Sequence, residues 1–228
     1  MLEAKEVTKV YDTRGVETHA LRGVSLSIGE GEFTVLAGPS GSGKTTLLNL
    51  FGALDEPTSG EILLDGQSLA DLSATELAEL RLRKLGFVFQ AYNLIPVFSA
   101  RENVEFVMEL QGVASAERRR RAMEILHEVG LDGLEDKRPL EMSGGQQQRV
   151  AVARAIVSGP RVVLADEPTA NLDSKTAGQL LDTMRQMNRE HRVTFLFSSH
   201  DPMVIERADR VVRLHDGEIA ADERRGSA

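Results

Sequence analysis

Short apolar runs alternate with longer amphipathic segments along most of this chain. Runs that predict buried strands occupy residues 32–37, 85–89, 162–165, 193–198 and 211–214. Segments with helical periodicity lie between several of them. Strands that alternate with helices favour a mostly parallel sheet, so the pattern predicts an α/β fold.

Two regions depart from this alternation. In the first thirty residues, Leu21, Val24, Leu26 and Ile28 give a broken period of two, which predicts an antiparallel β region. Residues 91–159 are mainly helical, and the first helix opens on a capping box at residues 99–102. We predict one domain: a core of residues 1–90 and 160–221, a helical subdomain inserted at 91–159, and a flexible polar tail at 222–228.

Composition narrows the function classes. The 228 residues are 41% hydrophobic and 27% charged and carry a net charge of −8, which argues against a nucleic-acid partner. The absence of cysteine excludes disulfides and thiolate-bound metals. No apolar run approaches the roughly 18 residues that span a bilayer, and the N-terminus does not resemble a signal peptide. We expect a cytoplasmic protein that reaches a membrane only through a partner.

Residues 38–45, the glycine loop, carry a nucleotide-binding pattern. They match G-x-x-x-x-G-K-[ST] between a predicted strand and a predicted helix. The glycines let backbone N–H groups face a polyphosphate, and the helix adds its positive end. We expect Lys44 to reach the β- and γ-phosphates and the Thr45 hydroxyl to hold Mg²⁺. The residues assigned to the nucleotide here are Gly38, Ser40, Gly41, Ser42, Gly43, Lys44, Thr45 and Thr46.

Two carboxylates follow the strand predicted at 162–165. Asp166 is placed to be a second anchor for Mg²⁺, and Glu167 to polarise a water aimed at the γ-phosphate. A strand that ends in Asp-Glu is common. The catalytic interpretation is favoured here because the same chain also carries the glycine loop with Lys44.

A second glycine-containing helix start lies at residues 143–146. A predicted helix begins with Ser143, Gly144 and Gly145, and its N-terminus could bind an anion. One phosphate chain does not need two anion-binding helix starts from the same subunit. We therefore expect the start at residues 143–146 to contact a nucleotide bound by a second copy. An ordinary capped helix start is the alternative.

These segments together resemble the nucleotide-binding subunits of ATP-binding cassette (ABC) transporters, over residues 2 to about 221. The matching positions are the glycine loop (Walker A), Gln90, the signature Ser143, Gly144, Gly145 and Gln146, the Walker B pair Asp166 and Glu167, the D-loop Asn171, Leu172 and Asp173, and His200. Met142 stands where the family usually has leucine, a near-isosteric change.

The resemblance implies a P-loop NTPase core and a homodimer that encloses two ATP molecules with Mg²⁺. Tyr11 would stack on the adenine, and Ser143 and Gly145 would contact the γ-phosphate held by the other subunit. Gln90 would approach Mg²⁺ and the attacking water, while His200 would hold the γ-phosphate. The residues assigned to catalysis are Glu167, His200 and Gln90; those assigned to Mg²⁺ are Thr45, Gln90 and Asp166; those added to the nucleotide site are Tyr11, Ser143, Gly144, Gly145, Gln146 and Asp173.

The resemblance also implies an integral membrane transporter subunit as partner, docked near residues 90–101, with the chain on the inner face of the cell membrane. The apolar segment 92–98 is consistent with docking, or else lines the core. Residues 89–96 and 170–173 and an extended loop at 12–19 look most like lipoprotein-releasing and macrolide-exporting ATPases. An importer ATPase and a division-type cassette with a non-transporting membrane partner remain alternatives. A nucleotide kinase would leave residues 143–148 without a role.

Overall fold

The computed structural model describes residues 1–13 and 15–225. The chain divides into two compact units: unit 1 comprises Met1–Arg81 and Thr194–Ala228, and unit 2 comprises Leu82–Val193. In chain order the elements are β1 (Leu2–Thr13), β2 (Val16–Ile28), β3 (Phe33–Ala37), α1 (Lys44–Phe51), β4 (Ser59–Leu64), β5 (Gln67–Ser68), α2 (Ala74–Lys84), β6 (Leu85–Val88), α3 (Ala100–Leu110), α4 (Ser115–Glu128), α5 (Gly144–Ile156), β7 (Val162–Asp166), α6 (Ser174–His191), β8 (Thr194–Ser199), α7 (Pro202–Glu206), β9 (Arg210–His215) and β10 (Glu218–Arg224).

Unit 1 contains the predicted antiparallel β region. Strands β2, β1, β4 and β5 form a sheet in that order, with antiparallel pairing throughout. In the second group of strands, β3 pairs in parallel with both β8 and β9, and β10 returns antiparallel to β9. Every residue of β3 and β8 is buried, which explains why these strands read as continuous apolar runs.

An aromatic cluster fills the core beneath β3 and β8. The rings of Phe33, Phe195 and Phe197 are fully buried, and their centroids lie between 4.6 and 5.6 Å apart. Tilted and offset arrangements of this kind add a small attraction to the burial of the rings. The cluster fixes the two strands whose carboxyl ends carry the first set of functional residues.

Unit 2 joins a parallel strand pair to four helices. Strands β6 and β7 run in parallel, with Val88 opposite Ala165. Helices α3 and α5 both begin with a full capping box, and Asp173 caps α6. The predicted capping box at residues 99–102 is therefore confirmed, as is the α/β class.

Three features differ from the sequence expectation. Helix α2 was not predicted, although Ser73 and Glu76 form the reciprocal hydrogen bonds that mark a helix start. The segment predicted as an extended loop at 12–19 is largely strand: Thr13 of β1 pairs with Val16 of β2, because the hairpin continues almost to its turn. Arg14 lies outside the described residues.

The carboxyl-terminal segment also differs in part. Strand β10 extends to Arg224, three residues into the predicted tail, and Asp222 forms an ion pair with Arg210 at 2.7 Å. Residues 226–228 lie outside the described part of the chain. The division at residues 91 and 159 stays a prediction; unit 2 is wider than that insertion and includes β6 and β7. Among the described helices, none combines the length and apolar character needed to cross a bilayer.

Candidate functional site

The glycine loop of unit 1 is folded around its own lysine. The Lys44 side chain is only 6% exposed, and its Nζ donates to the carbonyl oxygens of Gly38 at 2.8 Å and Pro39 at 2.9 Å. Helix α1 starts at Lys44, and no side chain caps it. A buried ammonium group at a helix start without a side-chain cap is a concentrated positive site, which suits a polyphosphate.

Two further atoms of the loop fit an anionic ligand. The Ser42 Oγ is buried and has no hydrogen-bond partner within residues 1–13 and 15–225. Thr45 is exposed at the first turn of α1. A hydroxyl in each position can act as a hydrogen-bond donor or as a hard oxygen ligand.

Gly43 is required by its surroundings. Its φ is +100°, and a Cβ atom at this position would lie 2.6 Å from the carbonyl oxygen of Ala20. A side chain here would therefore displace β2 or unwind the loop. This contact explains why the pattern needs glycine directly before Lys44.

Tyr11 is held beside the glycine loop by a small polar cluster. Its hydroxyl donates to Asp55 Oδ2 at 2.7 Å and shares a hydrogen bond with the Thr46 side chain. Lys9 Nζ lies 4.8 Å from the centre of the Tyr11 ring and donates to Asp55 Oδ1 at 2.6 Å. Tyr11 is 36% exposed. The cluster therefore sets the orientation of an aromatic ring close to the start of α1.

Burial and hydrogen bonds in this cluster shift the pKa values of Tyr11 and Asp55 in opposite directions. Partial burial and the hydrogen bond to Asp55 raise the pKa of the Tyr11 hydroxyl. Burial would also raise the pKa of Asp55, but the hydrogen bonds from Lys9 and Tyr11 outweigh it and lower that pKa. Asp55 is therefore ionised and Tyr11 neutral at neutral pH.

His200 lies at the same strand edge as the glycine loop. Strands β3 and β8 are parallel and in register, with Ala37 opposite Ser199. Gly38 and His200 are the next residues of the two strands, and His200 is exposed. Unit 1 thus brings together three sequence-predicted features: Tyr11, the glycine loop and His200.

Unit 2 gathers the second set of predicted residues at the corresponding edge of β6 and β7. Val88 and Ala165 are paired, so Gln90 and the Asp166–Glu167 carboxylates follow neighbouring strand ends. Gln90 is exposed, and both carboxylates are half-buried. The Asn171 side chain donates to the Gln90 carbonyl oxygen at 2.9 Å, which joins the predicted D-loop to the segment after β6.

The signature residues form a capped helix start. Ser143 Oγ accepts a hydrogen bond from the Gln146 N–H at 3.3 Å, and Gln146 Oε1 accepts one from the Ser143 N–H at 2.9 Å. A Cβ on Gly144 would lie 2.7 Å from Tyr92 Oη, and one on Gly145 would overlap the Thr176 methyl group. Both glycines are therefore needed to let neighbouring segments of unit 2 approach α5.

Asp173 serves α6 in this structure. It accepts hydrogen bonds from the backbone N–H groups of Lys175 and Thr176, both at 3.1 Å, and from the Thr176 hydroxyl at 2.6 Å. These bonds, the one from the Thr176 hydroxyl foremost, lower the pKa of Asp173. Its assignment to the nucleotide stays a prediction, because the contacts recorded here are those of a helix cap.

Sequence reasoning missed three residues that support these sites. Lys9 and Asp55 hold Tyr11, but no short pattern connects positions 9, 11 and 55. Gln148 is fully buried on α5 and donates to the Pro168 carbonyl oxygen at 2.9 Å. Its place could have been found, because helical spacing puts it on the apolar face of α5 with Val152 and Ala155.

The loop around Lys44, with its uncapped helix start, defines a P-loop nucleotide-binding protein. The model of the family described as ABC transporter matches residues 21–170. A protein of Thermotoga maritima, named an uncharacterized ABC transporter ATP-binding protein, is 46% identical over 226 residues, covering 99% of this chain and 96% of that protein. This chain belongs to the ABC transporter family and is one of its ATP-hydrolysing cassettes.

Two named relatives differ in length. The lipoprotein-releasing system ATP-binding protein LolD of Anaeromyxobacter dehalogenans is 47% identical over 222 residues, covering 97% of this chain and 93% of that protein. The macrolide export ATP-binding/permease protein MacB of Brucella melitensis is 44% identical over 222 residues, covering 97% of this chain but 34% of that protein. This chain spans about a third of the macrolide export protein that it matches.

Solved structures agree with this family. The ATP-binding cassette MJ0796, in a dimeric post-hydrolysis state bound to ADP and Pi, superposes with a TM-score of 0.92 at 42% identity, and each chain is covered completely. CbiO1 of Clostridium perfringens, part of the cbiONQ transporter complex, gives a TM-score of 0.88 at 31% identity, covering 98% of this chain and 88% of that one.

Proposed function

We propose that two copies of this chain close around two ATP molecules, and that hydrolysis of ATP drives a separate membrane subunit of the export or lipoprotein-release type. The observation that carries the proposal is the contrast between two helix starts. Helix α1 has no side-chain cap and surrounds Lys44, whereas α5 is capped by its own Ser143 and Gln146. The first is suited to bind a nucleotide within one chain, and the second to meet one presented from outside.

The assigned residues supply complementary contacts to ATP. The glycine loop and Lys44 take the phosphates, while Tyr11, fixed by Asp55, offers its ring to the adenine. His200 contributes an exposed imidazole beyond the end of β8. Stacking, backbone N–H groups and a point charge recognise different parts of one nucleotide.

The predicted Mg²⁺ ligands have suitable chemistry. The hydroxyl of Thr45, the carboxylate of Asp166 and the side-chain oxygen of Gln90 are hard oxygen donors, which Mg²⁺ prefers. When bound, Mg²⁺ would neutralise negative charge on the phosphates. We assign these three residues to it on their donor type.

Glu167 is the residue that we assign to the attacking water. A carboxylate can accept a proton from a water molecule and orient it towards the γ-phosphorus. The residue is half-buried, and it lies in a segment fixed by hydrogen bonds to Gln148 and Gln90. A fixed carboxylate loses less entropy on reaching the reacting geometry than a mobile one.

The type of membrane partner is inferred from relatives and from one surface. The relative LolD, named a lipoprotein-releasing system ATP-binding protein, is 47% identical and supports a partner of the release type. In segment 92–98, Val97 is 69% exposed, and Leu94, Ile95 and Phe98 are half-buried. An apolar loop exposed to this degree suits a protein partner and supports docking here.

The proposal is tested by trapping the ATP-bound dimer. Glu167→Gln keeps the size of the side chain but removes its basicity, so hydrolysis should slow about 100-fold or more, as for loss of a general base. The variant should then elute as a dimer in saturating ATP and Mg²⁺, when measured by size exclusion with light scattering. The control is Glu218→Gln, at an exposed position on β10, which should behave as wild type.

A Glu167→Gln chain that stays monomeric at saturating ATP contradicts the dimer. For the partner, the tagged wild-type chain would be purified from gently solubilised membranes of its source. A co-purifying membrane subunit with few spans and a large extracytoplasmic domain supports the export or release type. A many-spanning permease with a solute-binding protein instead supports an importer.

A further inference from the structure

Gln148 connects the signature helix to the segment that follows Glu167. It lies on α5, five residues after Ser143, and its side chain is 0% exposed. Its Nε2 donates a buried hydrogen bond to the carbonyl oxygen of Pro168 at 2.9 Å. The amide thus reaches the residue directly after the carboxylate assigned to the attacking water.

The backbone at Glu167 needs such support. Its φ is +44°, in the left-handed region that non-glycine residues rarely adopt. The next residue is proline, which further restricts the conformation of the residue before it. A backbone in this state persists only where surrounding contacts determine it.

The turn after Glu167 supplies part of that support. The Ala170 N–H donates to the Glu167 carbonyl at 3.2 Å, and the Leu172 N–H donates to the Thr169 carbonyl at 3.0 Å. These bonds close the turn on itself. The bond from Gln148 differs, because it anchors the turn to the buried face of a helix.

Stability alone does not account for a glutamine at this position. Gln148 Oε1 and Thr169 Oγ1 are both buried, and neither has a hydrogen-bond partner in the described part of the chain. A buried amide with an unsatisfied oxygen is costly, and an apolar side chain of similar volume would avoid that cost. The amide is thus retained at a cost, and what it provides in return is its N–H group at Pro168.

We propose that Gln148 is a positioning residue that holds the Glu167 carboxylate in its hydrolytic orientation by binding the Pro168 carbonyl. The inference rests on the proposed role of Glu167. Because the same helix carries Ser143 at its start, a displacement of α5 when Ser143 meets a phosphate displaces the Pro168 carbonyl as well. One rigid element then couples phosphate contact at the signature to the orientation of the chain's own carboxylate.

The direct test replaces Gln148 by methionine, which has a similar length but no donor. ATP affinity should stay within about twofold, because the glycine loop is unchanged, whereas the single-turnover hydrolysis rate should fall about tenfold, as displaced reacting groups typically cause. Thermal unfolding is measured alongside. The matched control is Asn188→Leu on α6, which removes a buried amide that donates to the Val193 carbonyl oxygen at 2.8 Å. It should leave the hydrolysis rate unchanged even if it lowers the melting temperature.

A double-mutant cycle separates positioning from general damage. If Gln148 acts through Glu167, then Gln148→Met should not slow the residual hydrolysis of the Glu167→Gln chain any further. The inference is overturned if Gln148→Met slows hydrolysis equally in the wild-type and Glu167→Gln chains. It is also overturned if Gln148→Met alone leaves the hydrolysis rate unchanged. If Glu167→Gln alone does not slow hydrolysis, the proposed function is wrong at Glu167, and that result is read independently of Gln148.

A second variant covers the case in which Gln148→Met does not fold. In Gln148→Glu, burial raises the pKa of the new carboxyl, and only its protonated form can donate to Pro168. Its hydrolysis rate relative to wild type should therefore rise as pH falls. A ratio that does not depend on pH overturns the inference.

Discussion

Two glycine-containing helix starts in this protein have opposite local chemistry. At α1 the preceding loop wraps a buried Lys44, and no side chain caps the helix. At α5 the side chains of Ser143 and Gln146 satisfy each other's backbone N–H groups, and no lysine is present among the signature residues. The start of α1 is suited to bind an anion. At the start of α5, side chains of the same chain already accept hydrogen bonds from the backbone N–H groups.

This difference is consistent with the proposal that one nucleotide contacts both starts from different chains. A capped helix start gains little from a weak ligand, because binding must compete with the existing cap. It responds to a strong anion that is held in place by other contacts. A second copy with ATP on its glycine loop provides such an anion, which agrees with the proposed dimer.

The largest expected effect on the first helix start comes from replacing Lys44. Lys44→Ala removes the positive charge of the glycine loop, so ATP should bind about 100-fold more weakly, or about 2.7 kcal/mol. Isothermal titration calorimetry measures this on the isolated chain. Lys5→Ala is the control, because Lys5 is exposed and its Nζ lies 3.9 Å from the Glu61 carboxylate, a long ion pair at the surface. Equal ATP affinities in Lys44→Ala and wild type would refute the assignment of the loop.

The second start should show a smaller and different effect. Ser143→Ala should cost about 1 kcal/mol of stability as a lost cap. ATP affinity of the single chain should be unchanged, but the ATP-driven dimer should dissociate about tenfold more readily, as expected for one hydrogen bond to a charged group. Light scattering on chains that also carry Glu167→Gln measures the dimer.

The matched control for the signature serine is Ser99→Ala. Ser99 and Glu102 form the same type of capping box at the start of α3. The variant should lose similar stability and leave the dimer intact. If both variants weaken the dimer equally, the signature serine acts as a cap and not as a phosphate contact.

The smallest effects should come from the base end of the nucleotide site. Tyr11→Ala should weaken ATP binding about tenfold, since base–aromatic stacking contributes about 1–3 kcal/mol. Tyr11→Phe keeps the ring but loses the hydrogen bond to Asp55. This change should weaken ATP binding about threefold, as expected for the loss of one net hydrogen bond. Neither change should affect the binding of tripolyphosphate, which has no base. A parallel loss for tripolyphosphate would place the effect in the loop and contradict stacking.

The sequence predicted most of the helices and strands and the candidate residues of each site, but only part of the contacts that hold those residues. It placed the capping box at Ser99, the helix capped by Asp173 and the strands that precede Gly38 and Asp166, because these depend on local periodicity and on caps. It missed α2, although the Ser73 and Glu76 pair was a usable signal. That helix is polar on average and buries only one residue, Leu80, so its apolar stripe is weak.

The supporting residues lay beyond sequence reasoning for a different reason. Asp55 meets Tyr11 across 44 positions of sequence, and Asn171 meets Gln90 across 81. Such pairs depend on which strands become neighbours. Because β1 with β4 and β6 with β7 pair only in the folded chain, no pattern within a short window predicts these contacts.

The amino-acid sequence by itself determined that this chain carries a glycine loop with Lys44, a strand ending in Asp166 and Glu167, and a glycine-containing helix start at Ser143. These signals are local, since each needs only the order of a few residues and the preference of glycine, serine and charged side chains for particular backbone positions. The tertiary structure alone decided that Asp55 holds Tyr11, that Asn171 reaches the Gln90 carbonyl oxygen, and that Gln148 reaches the Pro168 carbonyl oxygen. These contacts join residues that are far apart in the sequence. Only the packing of the whole fold brings such residues together.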